Sequence, residues 1–454
     1  MIAKALHLSS LKRIYSLTSA NRKERMTAID VQMDLPIEEK TSRKKILILM
    51  SEGGGGHKVA SFSMKEILSS HYDVEIVSAL PNIMQQIDCF TFVTQGAFTG
   101  DDFYNFLLQR GHLRAVSLLA RMGLKYMVAK RNQIDQHFRK FLLKSQNKYD
   151  MIISTFPYIN CGLAMAAQKM NIPFLVMPTD LDTATFFCGL SEMDFTLGGR
   201  FAFALPYDDI DLMKKAFNNS FLPKDKVHVT GFPVGKNCLK RFSSEDIVLL
   251  KFKHGLRTDS LIFTMILGAA GSEFLLDYSL ELFKLDPTSF HKPIEMNICV
   301  GRYEKMQSKI KEAMLIQGAR LIRENSSFVS IKTPKGVVIH IRKYVQEMVE
   351  LMASSSLIIT KTGSCTVNES IYLGKKLLLD NTENSSARYL QWENFNVPFV
   401  RKHGLGDAFT ELRELIPMIK ILMQEDLGHP VLTGAFPVPN FAEELHQLIQ
   451  KMIS

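Results

Sequence analysis

The chain has no CxxC pair, no apolar run approaching the roughly 20 residues that cross a bilayer, and almost no acid in one long basic stretch. Each absence excludes something. The six cysteines (Cys89, Cys161, Cys188, Cys238, Cys299, Cys365) lie far apart, several in apolar runs. They read as reduced core residues of a cytosolic protein, not as a disulfide framework or a metal site. Without a spanning run, membrane attachment is expected to be peripheral, and Met1 to Arg25 lacks the apolar core and cleavage site of a signal peptide. The basic residues are interleaved with aliphatic ones and not with base-stacking aromatics, which disfavours a nucleic-acid partner. What remains is a chain of 454 residues, 46% hydrophobic, with a net charge of +9. That size predicts two globular domains with a cleft between them, and the charge favours an anionic partner.

The stretch Lys45 to His57 organises the chain. Ile46-Leu47-Ile48-Leu49-Met50 reads as a buried parallel strand that empties into Gly53-Gly54-Gly55-Gly56, with a helix opening at His57. The spacing is neither that of the dinucleotide fingerprint nor that of the P-loop, whose Lys-Ser/Thr pair is missing. Glycines at a helix start let a ligand approach free N–H groups, although a bare glycine cluster is as readily a tight turn. His57 adds chemistry. A neutral imidazole at a helix N-terminus has its protonated form disfavoured and can accept a proton near neutral pH.

Residues 1–44 form a basic leader that suits an anionic membrane surface or a partly disordered start. A second strand follows at Val74 to Val77, and Phe90 to Lys148 reads as long, helical and basic. Between Arg110 and Lys148, ten Lys or Arg, among them Arg114, Arg121, Lys125 and Lys130, stand against Asp135 alone. Such helices suit an acidic lipid surface, or are simply solvated faces over a core. Strand and helix alternation resumes at Met151 to Thr155 and at Pro173 to Met177. The latter runs into Thr179-Asp180-Leu181-Asp182, where Asp180 and Asp182 stand at a strand end that open α/β sheets use for ligands and that turns also favour.

The second half repeats the pattern. Leu261 to Leu267 enters Gly268-Ala269-Ala270-Gly271-Ser272, a second loop suited to phosphate. Strands at Met296 to Val300, Val337 to Ile341, Leu357 to Thr360 and Lys376 to Leu379 complete a doubly wound α/β sheet. After Leu357 to Thr360 come Lys361-Thr362-Gly363-Ser364 and then Glu369, one turn into a helix. There it can bond sugar hydroxyls or act as a capping partner. Phe441, Leu445, Leu448, Ile449 and Met452 make an apolar stripe on a final helix.

The order of these motifs resembles the diacylglycerol glycosyltransferases of the monogalactosyldiacylglycerol synthase type, and more distantly the peptidoglycan transferase acting on a lipid-linked precursor. Both belong to glycosyltransferase family 28. The likeness covers about Lys45 to Leu405 and implies the GT-B fold, two Rossmann-like domains facing a cleft: 45–235 for acceptor and membrane, 236–437 for the UDP-sugar, with a C-terminal helix over 438–454. It implies that His57 is the base or acceptor-orienting group, with Gly54, Gly55, Gly56, Asp180 and Asp182 on the acceptor side. It places Gly268, Gly271 and Ser272 near the donor diphosphate with Lys361, Gly363 and Ser364. The backbone of Val345 would meet uracil and Glu369 the ribose. One segment departs from the family: aligning Asn396-Val397-Pro398 keeps Glu393 and Asn396 as donor contacts but puts Trp392 where a sugar-reading glutamine is expected.

The resemblance therefore implies an inverting transfer of galactose or glucose from a UDP-sugar to diacylglycerol on an anionic membrane, with Arg114, Arg121, Lys125 and Lys130 docking the first domain. No metal or other cofactor is expected, and no nucleic acid. Another lipid-linked or soluble acceptor, or a binding protein that has lost turnover, remains open as an alternative.

Overall fold

The computed structural model describes residues 43–144, 148–190, 200–214, 223–268, 274–301, 303–383, 385, 388–424 and 436–454. The expected basic leader therefore lies outside the described residues except for Arg43 and Lys44, as do Gly271 and Ser272 of the second glycine loop.

The first sheet is parallel throughout, in the order β2-β1-β3-β4-β5-β6. Its strands are β1 (Lys45–Met50), β2 (Asp73–Ser78), β3 (Met151–Ser154), β4 (Phe174–Val176), β5 (Phe201–Leu205) and β6 (Val227–Val229). Ile46, Leu47, Ile48 and Leu49 are fully buried, as an apolar run covered on both faces requires. Chain order reverses at β1, which has β2 on one side and β3 on the other, so the loop leaving β1 opens at a switch point of the sheet.

The second sheet runs β14-β13-β12-β7-β8-β11-β10-β9. It comprises β7 (Leu261–Ile266), β8 (Ile294–Cys299), β9 (Arg320–Glu324), β10 (Phe328–Lys332), β11 (Val338–Arg342), β12 (Leu357–Lys361), β13 (Lys376–Asp380) and β14 (Gly406–Phe409). All pairings are parallel except β9 with β10 and β10 with β11. Here β7 lies between β12 and β8, so the loops after β7 and β12 share the second switch point. Two doubly wound domains meeting across a cleft make this a GT-B fold.

The chain does not stay in its second domain. The helix Phe441–Ile453 returns to the first sheet, where Phe441, Leu445, Leu448, Ile449 and Met452 bury against Ile46, Ile48, Met64, Met151 and Leu175. At the crossing between domains, the Phe232 amide donates to the Tyr372 hydroxyl at 3.1 Å. Lys402 adds ion pairs to Asp209 at 2.7 Å and to Asp211 at 2.6 Å, and the Tyr207 hydroxyl donates to Asn368 at 2.7 Å.

Candidate active site at the mouths of the two sheets

The β1 loop turns through Gly54 and Gly55, both at positive φ (72° and 83°), and Gly55 caps the helix Gly56–Leu68. That backbone is one an L side chain rarely adopts, which accounts for the glycines there. The loop is held from outside. Asp101, in the first turn of the helix Gly100–Gln109, accepts from the Ser51 hydroxyl and the Glu52 amide, each at 2.7 Å. Asn105 accepts from the Gly54 amide at 2.8 Å and donates to the Glu52 carbonyl at 3.0 Å. The expectation that these amides stand free thus needs correcting at Gly54, whose N–H is already bonded within the protein.

His57 follows in the first turn of its helix. Its Nδ1 lies 2.9 Å from the Thr179 hydroxyl, and its ring sits between Phe156 and Phe186. Burial lowers its pKa to about 4, offset only in part by the Thr155 carbonyl, so the ring is uncharged at neutral pH. Asp180, next to Thr179, behaves oppositely. Burial, with Glu393 and Asp182 nearby, pushes its carboxyl up to about 7 against the opposing effect of the Ser364 hydroxyl. Asp182 is spent elsewhere, accepting from the Ala184 amide at 3.1 Å as the cap of a short helical turn.

His57 and Asp180 line one cavity of about 410 Å³ together with Asp101, Tyr104 and Tyr158. Most of the remaining wall is apolar: Phe90, Leu119, Met122, Leu124, Met127 and Phe156 among others. Gln391 and Trp392 reach it from the second domain. The departure in the sequence around Trp392 therefore faces the cavity that holds His57. Leu119, Arg121, Met122 and Leu124 belong to the helix Leu113–Ala129, whose outer face exposes Arg114, Leu118, Arg121, Met122 and Lys125. Lys130 is half-buried against Tyr126, and the Arg114 guanidinium lies 5.8 Å from the Tyr389 ring of the second domain.

On the other side of the cleft, Lys361 ends β12 and threads between two glycines. A Cβ on Gly268 would stand 3.2 Å from the Lys361 Cε, and one on Gly363 3.1 Å from it. The missing side chains make room for the ammonium beside the start of the helix Ser364–Tyr372. That start has no side-chain cap of its own and no acid in its first turn. Ser364 instead donates to Asp180 across the cleft at 3.0 Å.

Glu369 lies farther along the same helix, half-buried, with its carboxyl raised to about 7 by burial. Val345 is half-buried on the loop after β11 and packs against the second-domain core. Glu393 and Asn396 stand behind the β12 loop. The Thr362 hydroxyl donates to Glu393 at 3.3 Å, and the fully buried Asn396 amide donates to the Thr362 carbonyl at 2.5 Å and to Ser364 at 3.3 Å. Through its Nδ2 Asn396 braces the loop, while its buried Oδ1 has no partner among the described residues.

Residues 297–394 match the glycosyltransferase family 28 C-terminal domain. That stretch lies within the second domain. Similar curated proteins extend across both domains. One is a processive diacylglycerol beta-glucosyltransferase of Staphylococcus haemolyticus, 22% identical over 412 residues that cover 86% of this chain and 90% of that protein. Another is the chloroplastic monogalactosyldiacylglycerol synthase 1 of Arabidopsis thaliana, 23% identical over 90% of this chain and 72% of its own. Among solved structures, Acinetobacter baumannii MurG superposes with a TM-score of 0.49 at 14% identity, covering 90% of this chain and 99% of its own. The family 28 match spans β12, its loop, Glu369 and Glu393, on the second-domain side of the cleft.

Asp101, Asn105, Tyr104 and Tyr158 were not anticipated from sequence, and Thr179 was placed at its strand end without its bond to His57. The first two had a usable signal. Thr99 and Asp102 form a reciprocal capping box that marks the start of their helix, but nothing local says that this helix reaches back some 50 positions to a glycine loop.

Proposed function

We propose that this family 28 glycosyltransferase moves a hexose from a UDP-sugar to the hydroxyl of diacylglycerol at an anionic membrane surface, with inversion at the sugar. The carrying observation is that His57 shares its cavity with an apolar wall whose helix exposes basic and apolar residues together. A polar reacting centre at the base of an apolar chamber suits an acceptor that is a hydroxyl on two acyl chains. The exposed Arg114, Arg121 and Lys125, interleaved with Leu118 and Met122, suit the surface from which such a molecule is drawn.

In this reading the imidazole carries its proton on Nδ1, directed at Thr179, and Nε2 accepts the acceptor's hydroxyl proton. The oxygen attacks the sugar's anomeric carbon as its bond to the diphosphate breaks, and UDP leaves. The entering diphosphate brings negative charge toward the ring, which favours the protonated imidazole that the empty cleft disfavours. Lys361 and the open start of the helix Ser364–Tyr372 would hold the departing diphosphate, Glu369 the ribose and the backbone at Val345 the uracil.

The test is transfer of labelled glucose or galactose from its UDP-sugar into the lipid phase of vesicles containing diacylglycerol, with the anomeric configuration of the product read by NMR. The expected product is a β-linked glycolipid from an α-linked donor. An α-linked product would remove the single-displacement mechanism, and label appearing only in a water-soluble product would move the acceptor away from lipid.

A further inference from the structure

The start of the helix Ser364–Tyr372 has the makings of an anion site: backbone amides without a side-chain cap, the Ser364 hydroxyl, and Lys361 lodged against Gly268 and Gly363. A carboxyl group already stands at its edge. It is the carboxylate of Asp180, contributed by the opposite domain through the 3.0 Å bond from Ser364. Asp180 also follows directly on Thr179, the residue that holds His57, and lines the cavity in which His57 sits. One short segment after β4 therefore touches the base with one residue and the donor-side helix with the next.

We propose that the Asp180 carboxylate is a stand-in for the donor diphosphate in the free protein. Entry of the diphosphate displaces it from Ser364 and releases it into the acceptor cavity, so that Asp180 couples donor binding to the positioning of His57. This inference rests on the UDP-sugar reading above. In the unliganded cleft burial, with Glu393 and Asp182 nearby, disfavours its charge, so the bond to Ser364 is one that a better anion can replace. Once displaced, Asp180 has the His57 side of the cavity as its remaining polar surroundings, with Asp101, Tyr104 and Tyr158 on the walls. Its movement would carry Thr179 and hence the hydrogen bond on His57 Nδ1. Asp180 is in this account a positioning residue; it forms no bond to the sugar.

The chain holds a single tryptophan, and it lines this cavity, so fluorescence of Trp392 during titration with UDP reads the cleft directly in the full-length protein. Asp180→Asn keeps the shape and removes the competing charge, and is expected to bind UDP about tenfold more tightly than the unaltered protein. In turnover the same variant is expected to lower KM for the UDP-sugar and lower kcat together, a split that a residue merely supporting the fold would not give. Asp180→Ala serves as the second variant should the amide itself bond to Ser364, with the same tightening expected. UDP bound equally well or more weakly by both variants overturns the proposal. If neither the unaltered protein nor the variants bind UDP while Trp392 fluorescence and circular dichroism report a folded chain, the UDP-sugar reading fails and the coupling falls with it.

Discussion

The loops after β1 and β12 begin alike, each at a switch point where a buried parallel strand gives way to a helix, yet their amides are treated in opposite ways. In the first domain the loop is pinned by Asp101 and Asn105, and its helix presents a side chain, His57. In the second domain the β12 loop is braced from behind by Asn396 and Glu393, while its helix start is left without a cap of its own. The difference separates two tasks. A loop whose polar groups are satisfied internally can hold a reacting side chain still, and a helix start left open can receive a charge. Changes in the first domain should therefore act on chemistry and lipid, and changes in the second on the nucleotide, with Asp180, which bonds Ser364 across the cleft, the exception.

The sharpest break of that division is His57→Ala, expected to reduce sugar transfer by about 10² to 10⁴-fold while leaving the dissociation constant of UDP unchanged by calorimetry. Full transfer activity in that variant would take the histidine out of the mechanism. Next in size, neutralising Arg114, Arg121 and Lys125 to glutamine should lower the affinity for anionic vesicles by about 10²-fold, at about 1 kcal/mol per basic residue. Sedimentation with phosphatidylserine vesicles measures it, and unchanged partitioning would make the helix Leu113–Ala129 an ordinary solvated face. Lys130, half-buried against Tyr126, should matter less than the other three.

On the donor side, Glu369→Ala is expected to weaken UDP binding by about tenfold through the loss of a hydrogen bond to a charged group, with vesicle binding untouched. An unchanged dissociation constant would end its ribose role. The smallest effect is one of pH. Because the Asp180 carboxyl sits at about 7, it is neutral below that value and ionised above it. UDP affinity in the unaltered protein should then fall a few-fold relative to Asp180→Asn as pH rises from about 6 to 8. The ratio between the two proteins removes the titration of UDP itself. The groups facing Asp180 are Ser364, Glu393, Asp182, Tyr104, Tyr158 and Cys365, with His57 in the same cavity. A ratio that does not change with pH would assign the competition to something other than the Asp180 charge.

Much of this arrangement was legible before the structure because the central strands are long apolar runs bounded by glycine. β1, β7 and β12 have no polar face to confuse their period, and their loops follow directly. The edges were not legible. β9 is exposed along its whole length and spells Arg-Leu-Ile-Arg-Glu, a pattern no core demands. β14 begins Gly406-Asp407, residues that strands disfavour, and exists because β13 pairs with it. The same limit applies to the site. His57 and Glu369 announce themselves by type and position, whereas Asp101 and Asn105 matter through contacts made some 50 residues away. The opposite fates of Asp180 and Asp182, two residues apart, depend on which carboxylate meets Ser364 and which caps its own turn.

The most direct test of the whole account is release of UDP from UDP-glucose and from UDP-galactose, measured separately, with and without diacylglycerol in anionic vesicles. Release from one donor is expected, dependent on the lipid and lost in His57→Ala. UDP binding with no lipid-dependent release from either donor would contradict it.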